Sequence, residues 1–256
     1  MSEIALFDAN CHLGHTGALT GPASADELVQ VLDRVGIAEA LVTHSSAVAY
    51  DPAYGNQLLG KELAGRERLH ACWVVMPSHT GEVPGPRELV ERLLASGARA
   101  ARVCPRRVGP LRAYLYGELL GALQERRVPL LVDFELGHWG SHLQTVDWDG
   151  LQWLLGEYPQ LPVVLVRIGY AVDRLLLPLM DLYGNLHLEI SYYIGSNALE
   201  RTAARVGAER LLFGTGMPMY APGPAITLLT YSGLSRAEKE SVGGGNLRRL
   251  LDRAGG

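Results

Sequence analysis

The sequence predicts a single (β/α)8 barrel (a TIM barrel), and three observations carry that expectation. Eight short apolar runs alternate with amphipathic helical patterns from one end of the chain to the other. The chain has 256 residues, and about 250 is typical of one such barrel. The competing architecture, an open doubly wound sheet, usually carries a glycine-rich phosphate loop after its first strand. Here Asp8-Ala-Asn-Cys-His12 stands at that place.

The expected strands are Ile4–Asp8, Ala38–Thr43, Leu69–Met76, Ala98–Val103, Pro129–Glu135, Pro162–Arg167, Leu186–Ser191 and Arg210–Phe213. Several are apolar throughout, such as Leu161–Val166, as befits parallel strands covered by helices outside and filled by side chains within. Between them, Ser24 and Glu27 form the pattern of a capping box, as do Ser235 and Glu238. Leu28, Val31, Leu32 and Val35 recur at helical spacing, and Gly36 ends that helix before the second strand. Met76–Pro86 and Met217–Pro224 read as βα loops. Gly243-Gly-Gly245 reads as a break between two short C-terminal helices. No linker or shift in composition divides the chain, so residues 1–256 are expected to form one domain.

Composition narrows the class of function. Hydrophobic residues make up 48% of the chain, enough for a sizeable core. A formal net charge of −4 gives no attraction to nucleic acid or to an anionic membrane. No apolar run reaches the roughly 18 to 20 residues of a membrane span, and the three widely spaced cysteines suit a reduced, cytoplasmic protein. A small-molecule ligand is therefore the expected partner, with a homodimer through the outer helices as the expected assembly.

Functional residues of such barrels sit at the C-terminal ends of the strands and in the loops that follow. Four segments, three of them at strand ends, carry a resemblance. Asp8-Ala-Asn10-Cys-His12 resembles the first-strand DxHxH of the amidohydrolase-related family, to which aminocarboxymuconate-semialdehyde decarboxylase is related. Val164-Leu-Val-Arg167-Ile-Gly169 is similar to its sixth-strand VxxHxG, Leu211–Pro218 to its eighth-strand LLFGSDxP, and Asn246–Leu251 to its closing NxxRLL helix.

The resemblance implies hydrolase or decarboxylase chemistry and a metal. The family holds that metal with two first-strand histidines, a fifth-strand histidine and the eighth-strand aspartate, with a sixth-strand histidine beside them. At those five places this chain has Asn10, His12, Asp133, Gly216 and Arg167, so only His12 is retained. Asparagine is a poor zinc ligand, arginine keeps its proton, and glycine offers no side chain. The expectation is therefore a site without the usual metal. Zn or Mn held by His12, Asp133 and Glu135 or Glu189 is the rearranged alternative.

Strand alternation assigns faces to these residues. It places Asp8, Asn10 and His12 in the lumen together, and likewise Asp133 with Glu135, and His187 with Glu189 and Ser191. Arg167 would clamp a substrate carboxylate or neutralise the acids. Asp133 or Glu189 would be the acid/base, with His12 as hydrogen-bonding or proton-transfer partner. Asn10, Arg102, Glu135 and His138 would contact substrate. His138, His142 and Trp139 follow the fifth strand as a potential lid, and His44 and Cys104 end strands nearby. A barrel that has lost catalysis and binds a metabolite or a protein is the competing reading.

Overall fold

The computed structural model describes residues 4–15, 21–134 and 146–256. Eight parallel strands stand in sequence order in one sheet: β1 (Leu6–Leu13), β2 (Ile37–His44), β3 (Leu69–Val74), β4 (Ala100–Val103), β5 (Leu130–Val132), β6 (Val163–Leu165), β7 (Leu186–Glu189) and β8 (Leu211–Leu212). Three backbone hydrogen bonds join the two ends of that sheet. Ala9 donates to Phe213 and His12 to Met217, while Gly216 donates to Asn10, all at 2.8–2.9 Å. The result is a single-domain TIM barrel, with all eight expected strands present.

Side-chain alternation divides the core into two layers. Leu130, Val132, Val163, Leu165, Leu186 and Leu188 pack outward against the helices. Ala9, Leu41, Cys72, Ala100, Leu131, Val164 and Leu212 fill the lumen and meet Leu247, Leu250 and Leu251 of the C-terminal helix. That apolar floor closes the barrel from below and leaves its upper end for polar groups.

Helix α1 (Ala25–Val35) begins at Ser24, whose side chain accepts from the Glu27 amide. The Glu27 carboxylate reaches back to the amide of Ala23 rather than of Ser24, so only half of the expected box forms. The box at Ser235 is complete. Gly243-Gly-Gly245 is not a break: Ser241–Gly245 is a π-helical turn that runs on into the last helix. There Gly244 lies against β1, where a Cβ would come 3.2 Å from the Ala5 carbonyl. Close packing, rather than a turn, accounts for the glycines.

The first strand corrects the expected boundaries most. It runs on to Leu13, and its register against β2 slips by one residue between Asp8 and Cys11. Asp8 pairs with Ala40 and Cys11 with Val42, so Ala9 and Asn10 together oppose Leu41. This is a bulge, and strict alternation fails across it. Asp8 falls in the outward row with Ala40 and Cys11, not in the lumen with Asn10 and His12.

Candidate active site

A buried polar layer lies on the apolar floor. Arg102 on β4 is paired with Val74 and Leu131 in the inward row and is completely buried. Its Nε donates to Thr43 Oγ1 at 3.1 Å, Nη1 to Asp133 Oδ2 at 2.6 Å and Nη2 to Asn10 Oδ1 at 2.7 Å. Asp133, just beyond β5, takes Arg102 on one oxygen and the Nε and Nη2 of Arg167 on the other. Arg167, two residues past β6, is also buried, and its Nη1 makes no hydrogen bond among the described residues. Burial opposes the charge of its guanidinium, but Asp133 more than offsets this and holds its pKa above the ordinary value.

Arg167 has φ +59°, a left-handed conformation in a non-glycine residue, which costs about 1–2 kcal/mol. In that conformation its N–H donates to Glu189 Oε2 at 3.2 Å. Glu189 ends β7, fully buried, and also accepts from Asn10 Nδ2 at 3.0 Å and from Ser191 Oγ at 2.9 Å. Burial pushes its carboxyl up to about 7, against the hydrogen bonds from Ser191 and the Arg167 amide. Gly214 makes room for it, since a Cβ there would lie 2.4 Å from Glu189 Oε1. It is the glycine of the eighth-strand motif, but its contact with Glu189 is a tertiary one that the motif does not reveal.

His12 faces inward opposite Thr43. Burial first, and then Arg102 and Arg167, hold its imidazole well below its ordinary pKa. It is therefore neutral, and its buried Nε2 has no hydrogen-bond partner among the described residues. Asp8 accepts from the amides of Asn10 and Thr215 and from the Thr215 hydroxyl, so it ties the bulge to the segment after β8. Asn10 is committed through both amide atoms, bridging Arg102 to Glu189.

Thus the structure brings together Asn10, His12, Arg102, Asp133, Arg167, Glu189 and Ser191. Glu135, His138, Trp139 and His142 lie outside the described residues. His44 is directed elsewhere: its Nδ1 accepts from the Ser46 amide at 3.1 Å and caps α2 (Ser45–Ala49). Cys11 packs outward. Cys104 lines a cavity of about 410 Å³ on the β2–β4 side of the mouth, with Val74, Met76, His79 and Arg107 among its walls.

The described side chains do not fit a divalent cation. Asp133 spends both oxygens on guanidiniums, Asn10 has no free amide atom, and Arg102 and Arg167 add positive charge where a cation would sit. Among the described residues, no three His, Cys, Asp or Glu groups are placed to hold one. At the eighth-strand position Gly216 has φ +67°, and a Cβ there would come 2.7 Å from Tyr220 Cδ2. No helix among the described residues is long and apolar enough to cross a membrane.

Solved structures share this fold at low identity. A 2,6-dihydroxybenzoate decarboxylase from Rhizobium superposes with a TM-score of 0.74 at 16% identity, over 98% of this chain and 99% of that one. A Polaromonas dihydroxybenzoic acid decarboxylase, solved with bound manganese and the inhibitor 2-nitroresorcinol, gives 0.73 at 16%, over 98% and 97%. A 5-carboxyvanillate decarboxylase from Sphingomonas paucimobilis gives 0.72 at 14%, over 98% and 99%. No curated protein matches the sequence. The amidohydrolase family matches residues 15–253, most of the chain, and the chain belongs to that family.

Proposed function

We propose that the protein is a lyase of decarboxylase type acting on a small carboxylate-bearing molecule without the family's usual metal. The observation that carries this reading is the pairing of Arg167 with Glu189 at the barrel mouth. The buried Arg167 guanidinium keeps one terminal nitrogen without a hydrogen bond among the described residues, and the Arg167 backbone amide donates to the Glu189 carboxyl, which burial pushes up to about 7. In this reading Arg167 anchors the anionic substrate. The bond to the carboxylate carbon breaks, its electron pair stays on the substrate carbon, and Glu189 delivers the proton that the carbon takes up as CO2 leaves. Neutral His12 offers Nε2 as a hydrogen-bonding partner. Asn10, Arg102 and Asp133 hold Arg167 and Glu189 in place. An arginine at the sixth-strand position cannot generate hydroxide as a metal does, so proton delivery suits these residues better than hydrolysis. The decarboxylase neighbours favour the same chemistry.

The test is CO2 release from 2,6-dihydroxybenzoate and 5-carboxyvanillate, before and after chelation, with elemental analysis of the purified protein. Turnover that survives chelation and falls about 10²–10⁴-fold in Glu189→Gln is expected. Stoichiometric Mn or Zn bound through His12, with activity that follows it, would overturn the metal-free reading. Absence of both turnover and carboxylate binding would leave a barrel without this catalysis.

A further inference from the structure

Gly216 stands at the family's carboxylate position, yet the space beside it is filled. The ring of Tyr220, four residues further on, lies where a side chain at 216 would project, 2.7 Å from the place of its Cβ. The backbone fixes that arrangement. The Tyr220 amide donates to the Gly216 carbonyl at 3.2 Å, and the Gly216 amide donates to Asn10 at 2.9 Å, so the turn is pinned to β1. Tyr192, after β7, stacks on the ring with centroids 5.0 Å apart and planes 16° from parallel. The ring is partly exposed, but the hydroxyl oxygen is buried. The charges that act on that hydroxyl include Arg167, Asp133 and Glu189, the same groups that form the polar layer.

A phenol in this place changes what the site can hold. The carboxylate it replaces is an acceptor that attracts cations, whereas a protonated phenol presents a hydrogen-bond donor and suits an anion. We propose that Tyr220 is a ligand-contacting residue whose hydroxyl donates to the carboxylate anchored by Arg167. The proposal rests on the carboxylate reading above and adds to it a second donor, from the segment after β8. The eighth-strand carboxylate is then replaced not by the glycine at its own position but by a side chain four residues downstream.

The test is calorimetric titration of the full chain with benzoate, phthalate and succinate, in wild type and in Tyr220→Phe. Phenylalanine keeps the ring and its stack on Tyr192, so the unfolding temperature should match wild type. Loss of one hydrogen bond to a charged group should weaken binding of these anions roughly ten- to a hundredfold. Benzamide, which has the same ring without the charge, should lose much less. Equal affinities for wild type and Tyr220→Phe would overturn the role of Tyr220 and leave the carboxylate reading standing. An equal loss for benzoate and benzamide would assign the effect to the ring and also overturn it. Failure of wild type to bind any of the three anions would remove the carboxylate reading, and this inference with it.

Discussion

The two sides of the barrel mouth are held together by different constraints. On the β4–β6 side the constraint is one of charge. Asp133 and Arg167, with Arg102, form a buried network in which each Asp133 oxygen meets a guanidinium. At the β8–β1 seam the constraint is one of space. The Tyr220 ring occupies the volume beside Gly216, and Asp8 holds the segment after β8. The first side must keep all its members to remain tolerable, because a buried charge without a partner is costly. The second can exchange one side chain for another of suitable shape. Positions under electrostatic constraint and positions under steric constraint should therefore respond differently to substitution.

The largest expected effect is on the charged side. Arg102→Ala removes the guanidinium that bridges Thr43, Asn10 and Asp133, and should cost about 3–5 kcal/mol of stability in denaturant titration. A loss below about 1 kcal/mol would show that Arg167 alone satisfies Asp133 and that the network is not a unit.

Next is the pH dependence set by Glu189. Its carboxyl is near 4.5 when unfolded and raised to about 7 when folded, so the folded state binds the proton more tightly. Stability from this group is complete below about 4.5 and is lost as pH rises through about 7, a change on the order of 3 kcal/mol. Glu189→Gln should flatten that part of the curve. In wild type, the rate of any protonation step should also fall above about 7. A rate that rises through the same range would assign Glu189 the role of base.

The smallest effect belongs to the seam. Gly216→Ala puts a methyl against the Tyr220 ring at a left-handed backbone position, and should cost about 1–3 kcal/mol. Combined with Tyr220→Ala, most of the steric part should be recovered, leaving only the backbone part. Additive losses in the double variant would show that the ring is not what constrains the position.

Much of this was legible in the sequence. All eight strands announce themselves as apolar runs, because parallel strands buried on both faces have no polar side to obscure them. His12, Asp133, Arg167 and Glu189 could be named from strand ends together with the family resemblance, since in this fold those ends converge. The face of Asp8 could not be read, because a one-residue bulge reverses the parity of everything before it and leaves no mark in composition. Tyr220 was legible only as part of the eighth βα loop, and Gly214 only as the glycine of the eighth-strand motif. Their importance depends on which side chains arrive from β7.

The sequence by itself determined the barrel, its order of strands and the chemical character of the mouth. Apolar periodicity and residue type are local properties, and local properties suffice for these. Only the tertiary structure decided that Arg102 is the centre of the network, that Asn10 bridges Arg102 to Glu189, and that Tyr220 rather than residue 216 fills the eighth-strand place. Those are contacts between strands far apart in the chain. Their energies depend on distance and burial, which no run of neighbouring residues encodes.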